Sequence, residues 1–319
     1  MEKVLVTGAN GFVGKAVCME LMARGIPVVA AVRDASARIA MRAGPTIETN
    51  SVGNIDAETD WTNALTGCSS VIHLAARAHI LNDTIDDPLA AFRSTNVAGS
   101  VQLARCAARA GVRRFVFVSS IGVNGNANSR PFTQADAAAP AEAYAISKFE
   151  AEQALIEETS NSAMELVIVR PPLVYGPDCP GNFLRLLKLL SSGVPLPFGA
   201  ISTKRSFVSV WNLADFLATC VLNPQAAGEV FLVSDMEDVT LPGLLRGLAA
   251  GMGKKAPLFS LSPALLGFVA GIAGKSAMFE KLCGNLTVDA SHARTVLNWH
   301  PPVSLAEGLR RTGSWYVDP

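Results

Sequence analysis

The sequence lacks an excess of either charge: Lys plus Arg and Asp plus Glu each number 27 in 319 residues. With no broad basic field, nucleic acid is not expected as a partner, and any anion must be held by local groups. Paired cysteines are missing too. The six, Cys18, Cys68, Cys106, Cys179, Cys220 and Cys283, form no C-x-x-C motif and none stands near a histidine at metal-ligand spacing. No metal is expected, and the thiols read as free and buried in a reducing cytoplasm. "MEKVLVTGANGFVG" has no long apolar run before its glycines, so it does not read as a secretory leader. There are no internal repeats and no low-complexity linker. One uncharged stretch, "APLFSLSPALLGFVAGIAG" at 256–274, falls short of the roughly 20 apolar residues of a membrane span, because prolines and serines break its first half. Ser262 and Pro263 read as the N-cap and first residue of a short helix. A packed helix or partner-facing surface is expected there, with contact at a membrane surface the alternative.

What is present is a globular composition, half hydrophobic and 17% charged. The length suits one large or two modest domains. Strands and helices alternate through the first half. "KVLVTG" leads to a helix over 14–24, and "PVVAAV" is the next strand. "SSVIHLAA" (69–76) precedes a helix over 88–110, and "RRFVFVSS" (113–120) precedes a helix over 143–158. "ELVIVRPP" (165–172) ends the series. Continuously apolar strands imply burial on both faces, hence a parallel sheet covered by helices. The expected fold is α/β, a doubly wound parallel (Rossmann) sheet with a smaller, mostly helical C-terminal region. Residues 1–172 are expected to form the dinucleotide-binding domain, with 206–235 returning to it. Residues 173–205 and 236–319 are then the substrate-binding region. "EVFLVSD" (229–235) reads as a lone strand.

"VTGANGFVG" sits between the first strand and first helix, with Gly8, Gly11 and Gly14 in T-G-x-x-G-x-x-G spacing. Glycines there allow a tight turn and let backbone N–H groups approach a pyrophosphate at a helix N-terminus. In that context the triplet points to dinucleotide binding rather than a bare turn. The second strand ends "AAVRD". Arg33 suits the 2′-phosphate of NADP(H), whereas Asp34 would reach the ribose hydroxyl of NAD.

"AYAISKFEAE" (143–152) sets Tyr144 four residues before Lys148 on one helix face. Alone, the pair reads as an ordinary helix surface. It does not stand alone. The glycine loop, "HLAAR" (73–77), "VSSIGVNG" (118–125), "AYAISK", "RPPLVYGP" (170–177), "RSFVSVWNLAD" (205–215) and "VDASHARTVLNWHPPVSLAEGL" occur in order. Across essentially its whole length the chain resembles the extended short-chain dehydrogenase/reductases of the nucleotide-sugar epimerase/dehydratase group. Within it, the look is nearest to bacterial enzymes of UDP-N-acetylhexosamine metabolism.

The resemblance implies NAD(P) as cofactor, a UDP-sugar as substrate and a cytoplasmic homodimer. Its pairing helices would be 88–110 and 143–158, where Leu103, Ala104, Ala107 and Ala108 would permit close approach, unless they pack on the chain's own sheet. It implies that Tyr144 is the acid/base, Lys148 its partner and Ser120 the hydroxyl at the reacting oxygen, with Ser119 as the alternative. A free phenol, pKa about 10, is a poor base, and a nearby ammonium and a nicotinamide cation are expected to lower it. It implies a cofactor shell of Gly8, Asn10, Gly11, Phe12, Val13, Arg33, Asn54, Ile55, Leu74, Ala75, Ala76, Tyr144, Lys148 and Pro171. It implies substrate contacts at Ser120, Asn182, Arg205 (diphosphate) and Leu196, Pro197 and Phe198 (uracil), the last three serving equally as core packing. Leu173 replaces an asparagine that contacts phosphate in several 4-epimerases, and no second diphosphate arginine stands out in "FEKLCGNLTVD". His73 is expected to be structural, and His79 to face the cleft or solvent. Ser120 is followed by Ile121 and Gly122, not by the Asp-Glu pair of the 4,6-dehydratases. Four activities are therefore weighed. Reduction of a UDP-4-keto-6-deoxy-N-acetylhexosamine for surface polysaccharide is favoured by Arg33. A 4-epimerase retaining NAD is the runner-up, dehydration is disfavoured, and a non-catalytic NADP(H) sensor is remote.

Overall fold

The architecture comes from a computed structural model that describes residues 2–34, 47–78, 87–274 and 276–318. The elements run β1 (Lys3–Thr7), α1 (Phe12–Ala23), β2 (Val28–Val32), β3 (Glu48–Ser51), β4 (Cys68–His73), α2 (Pro88–Arg93) and α3 (Gly99–Arg109). They continue with β5 (Arg114–Val118), α4 (Ala143–Ser160), β6 (Glu165–Arg170), β7 (Leu173–Tyr175), α5 (Asn182–Ser191), β8 (Lys204–Ser209) and α6 (Val210–Leu222). The chain closes with β9 (Val230–Leu232), β10 (Asp238–Thr240), α7 (Leu241–Gly251), α8 (Pro263–Ile272), α9 (Ser276–Cys283), α10 (Ser291–Leu297) and α11 (Leu305–Val317).

Seven strands form one parallel sheet in the order β3-β2-β1-β4-β5-β6-β9. The expected doubly wound fold is what forms, and its alternation explains why. On β1, Val4 and Val6 point to one face, where they join Val17 and Leu21 of α1 and Leu213, Phe216 and Leu217 of α6. Leu5 points to the other face, with Leu103 and Ala107 of α3, Phe115 and Phe117 of β5, and Leu155 of α4. Both faces are apolar because both are covered. Strand order reverses between β1 and its neighbours β2 and β4, which opens a crevice at the carboxyl ends of the strands. A second sheet, β10-β8-β7, holds a third core built from Tyr175, Phe183, Leu187, Leu244, Leu248 and Leu309. All six cysteines are free, and burial pushes the thiols of Cys18 and Cys179 up to about 12.

Three expectations are corrected or resolved. "EVFLVSD" is not a lone strand, because β9 pairs in parallel with β6 and completes the large sheet. The helix over 88–110 forms, running from Pro88 to Arg109, but it carries a π turn at Ser94–Ala98 between α2 and α3, a feature that tends to mark functional sites. Leu103, Ala104 and Ala107 are fully buried against the chain's own sheet, so they do not offer a surface to a second copy. Ala108 packs on the same core. No helix among the described residues is long and apolar enough to cross a membrane.

Candidate active site

The crevice begins at the glycine loop. Gly8 has φ +64°, and a Cβ there would lie 3.0 Å from the Ala75 nitrogen. A Cβ at Gly14 would lie 2.1 Å from the Gly8 carbonyl oxygen, inside contact distance of backbone that cannot yield. Gly11 caps α1 and offers no side-chain acceptor. The first amides of α1, at Phe12 and Val13, therefore face the loop with only the helix dipole behind them. That cradle fits the pyrophosphate of a dinucleotide. Gly14→Ala should weaken binding of NADH or NADPH at least about tenfold in a fluorescence titration, because the loop must open to seat one methyl group.

The remaining cofactor candidates lie at the same edge. Arg33 is exposed just after β2, and Asn10 is exposed in the loop. Asn54 and Ile55 follow β3. Ile55 rests on α3 so closely that a Cβ at Gly99 would come 2.6 Å from its Cγ2. The Leu74 and Ala75 amides donate to the Thr7 hydroxyl at 3.1 and 3.0 Å, which fixes the stretch through Ala76 beside the glycine loop. The Pro171 carbonyl accepts from Ile121 at 3.0 Å and ties the end of β6 to the turn that carries Ser120.

Ser120 follows β5 by two residues, and its Oγ accepts from the Gly122 amide at 3.1 Å. Its own proton is left to donate. Gly122 in turn lies so near Ala145 that a Cβ on it would be 3.2 Å from the alanine methyl, which seats the Ser120 turn against α4 next to Tyr144. Ser119 is buried instead, its hydroxyl without a hydrogen-bond partner among the described residues. Tyr144 is half-buried, with its ring 6.1 Å from Phe92 in an edge contact. Lys148 is 1% exposed, and its Nζ lies 4.2 Å from the centroid of the Phe117 ring.

The expected lowering of the tyrosine rests on the Lys148 ammonium and a nicotinamide cation together, and burial opposes it. Burial pushes the Tyr144 phenol up to about 12. Burial holds Lys148 down to about 7, against an opposing pull from the Glu152 carboxylate. Both shifts share one cause: a charge is costly in this apolar setting, and the lysine places its ammonium on an aromatic face. At neutral pH Tyr144 is a protonated phenol, ready to donate.

Sequence reasoning missed two supporting networks. Arg170 donates to both oxygens of Glu152, at 2.9 and 2.5 Å, and to Asn124 Oδ1 at 3.1 Å. Both members of this ion pair are less than a tenth exposed. The available signal was spacing, since Glu152 falls four residues past Lys148 on the face that carries Tyr144. The second network joins Thr7 to His73 Nδ1 (2.7 Å) and His73 Nε2 to Ser100 (2.8 Å). Ser100 donates to the Asn96 carbonyl at 2.7 Å, so it accepts from His73. Asn96 Nδ2 donates to Ser147 at 3.0 Å, and Ser147 donates to the Tyr144 carbonyl at 2.8 Å. Burial, with the Lys148 charge, lowers His73 to about 3, so it is neutral and structural, as expected.

On the substrate side, Arg205 of β8 is half-buried and donates to the Gly284 carbonyl at 3.1 Å, while burial lowers its pKa. Leu196 is buried in the third core and Phe198 packs against that core, with half-buried Pro197 between them. Asn182 opens α5, but its side chain lies outside what the structure describes, as does His79. Leu173 is exposed.

A parallel sheet with this strand order, a glycine cradle at its switch point and a Tyr-Lys pair on the adjoining helix define a dinucleotide-binding enzyme of the extended short-chain dehydrogenase/reductase type. The chain belongs to the NAD-dependent epimerase/dehydratase family, whose profile matches residues 4–234. It is 40% identical to a UDP-glucose 4-epimerase of Vibrio cholerae over 320 residues, covering 99% of this chain and 96% of that one. It is 28% identical to the N-acetyl-α-D-glucosaminyl-diphospho-ditrans,octacis-undecaprenol 4-epimerase of Escherichia coli O157:H7, covering 83% and 82%. The fold matches the UDP-glucose 4-epimerase of Thermotoga maritima with a TM-score of 0.75 at 22% identity, covering 99% of each chain.

Proposed function

We propose that this enzyme moves a hydride between NAD(P) and C4 of a UDP-sugar, the reductive reaction being reduction of a UDP-4-keto-6-deoxy-N-acetylhexosamine for surface polysaccharide. The observation that carries the proposal is the packing of the Ser120 turn against Ala145, next to Tyr144 on α4, with Lys148 buried one turn further along the same helix. The nicotinamide of a bound cofactor supplies or accepts the hydride. In reduction, Ser120 donates to the C4 oxygen and holds the carbonyl in place. Tyr144 passes its phenolic proton to that oxygen as the hydride arrives, and Lys148 stabilises the phenolate left behind. Arg205 meets the diphosphate with a charge-assisted bond, and Leu196, Pro197 and Phe198 wall the base.

One feature supports reduction: Arg33, exposed just after β2, suits the 2′-phosphate of NADP(H). The Vibrio cholerae relative favours the second reading, a UDP-hexose or UDP-N-acetylhexosamine 4-epimerase that retains NAD and uses the same three residues. This proposal includes a cofactor part (1–172 with 206–235), a substrate part (173–205 and 236–319), a cytoplasmic location and a homodimer built on α2 to α4.

Purified protein separates the two readings. The reductase consumes NADPH with UDP-4-keto-6-deoxy-N-acetylhexosamine and elutes from gel filtration without cofactor. Tightly held NAD together with interconversion of UDP-GlcNAc and UDP-GalNAc, no cofactor added, would establish the epimerase instead.

A further inference from the structure

The helix α8 contradicts its own composition. A helix apolar all round is ordinarily buried or in lipid, yet none of its ten residues is buried. Its inner side is supported, since Leu266 touches the third core and Gly267 faces the ring of Phe279 on α9. Its outer side is exposed among the described residues. Leu265, Phe268, Val269 and Ile272 recur at i, i+3, i+4 and i+7, so they line one face, and all are exposed, Phe268 at 66% and Ile272 at 75%. Phe259, just upstream, is exposed as well. An apolar surface of this kind marks an interaction site rather than ordinary surface scatter.

Charge says which occupant it suits. The chain is neutral overall, but from Val239 to Phe279 it carries Arg246, Lys254, Lys255 and Lys275 and no Asp or Glu. Lys254 and Lys255 are exposed. They precede Phe259 by five and four positions, so chain length holds them within about 18 Å of it. Exposed aromatic and aliphatic side chains beside lysines, on a helix too short to span, are the pattern of a segment lying in the headgroup region of an anionic bilayer.

The patch is also joined to the candidate substrate segments. Leu196 and Phe198 make backbone bridges to Leu258 and Ser260 at the entry to the α8–α9 hairpin, and Arg205 bridges to Leu286 at its exit. We propose that α8 is an interfacial helix that seats the enzyme on an anionic phospholipid surface, with Phe268 and Ile272 inserted and Lys254 and Lys255 over the headgroups.

The test is flotation of the whole protein with vesicles of phosphatidylcholine alone or with about a third phosphatidylglycerol. The wild type should float with the anionic vesicles, at least about tenfold over the neutral ones, and be released by salt. Phe268→Asp with Ile272→Asp should abolish flotation, and Lys254→Glu with Lys255→Glu should reduce it at least about tenfold. Both double variants should keep the wild-type melting temperature and the wild-type affinity for reduced dinucleotide, because the residues are exposed and lie outside the cofactor crevice. Three outcomes would overturn the proposal: no flotation of the wild type, flotation that ignores lipid charge, or a wild-type oligomer that Phe268→Asp with Ile272→Asp splits, which would show that a second copy covers the helix. None of these readouts depends on which sugar is turned over, so the docking proposal and the catalytic one fail separately.

Discussion

Tyr144→Phe lowers turnover by about 10²–10⁴-fold, the usual worth of a positioned general acid, while affinity for NADH or NADPH stays within about threefold. The two effects separate because the substitution removes one oxygen and little else. The phenyl ring keeps its edge contact with Phe92. The Ser147 hydroxyl bonds the backbone carbonyl of residue 144, which the variant retains. The glycine cradle lies on a different element. In wild-type protein the proton is already on the phenol at neutral pH, since burial pushes it up to about 12. What the variant lacks is a donor at the moment the C4 oxygen gains charge. The same loss is expected for epimerisation, whose two half-reactions both pass a proton through this position. Stopped-flow or steady-state assay beside a fluorescence titration measures both quantities. Unchanged turnover would remove Tyr144 from the chemistry.

Glu152→Gln should destabilise the protein by about 3–5 kcal/mol, the range found when one member of a buried ion pair is removed. The Arg170 guanidinium would keep Asn124 and one amide oxygen but lose the countercharge, and would face an NH2 donor where the second oxygen stood, in a place where it is almost wholly out of water. A midpoint shift in urea at constant slope would report it. The double substitution Glu152→Leu with Arg170→Met should recover much of the loss, because two apolar side chains of similar size leave no stranded charge. Recovery of fold without recovery of activity would also show that the carboxylate does more than fill space. Glu152 is the group that pulls Lys148 upward against burial, so its removal leaves the lysine less charged near neutral pH. If the single variant were as stable as wild type, the pair would be incidental.

What could be read from the sequence was whatever the backbone period encodes. Val4, Leu5 and Val6 on β1 announce a strand buried on both faces, and Gly8, Gly11 and Gly14 announce the turn that follows. Tyr144 and Lys148 were legible by helical spacing once that turn was in place. Three kinds of feature were not legible. The π turn at Ser94–Ala98 contains Asn96, whose tertiary contacts no local pattern reveals. The pairing of β9 with β6 is set by the long return of the chain, so "EVFLVSD" had no visible partner. The direction of the Tyr144 shift required knowing how deeply the phenol is buried. Spacing gives proximity along a helix and says nothing of dielectric. The alanines of α3 left two readings open for the same reason, because small residues allow close packing without saying against what.

The chain of bonds from Thr7 to Tyr144 has a sense as well as a path. Each proton along it points the same way: amides of Leu74 and Ala75 into Thr7, Thr7 into His73, His73 into Ser100, Ser100 into the Asn96 backbone, Asn96 into Ser147, and Ser147 into the Tyr144 carbonyl. Dipoles aligned head to tail polarise one another as far as the Asn96 carbonyl, and the Asn96 side chain then begins a second run to Ser147 and the Tyr144 carbonyl. Together the two runs tie the glycine-loop side of the crevice to α4 as one oriented strut. A second proton on the imidazole would make His73 a donor at both ends and force the Thr7 hydroxyl to turn round, breaking the polarity midway. With His73 held at about 3, that reversal lies far below neutral pH, and the strut keeps a single orientation throughout the working range of the enzyme.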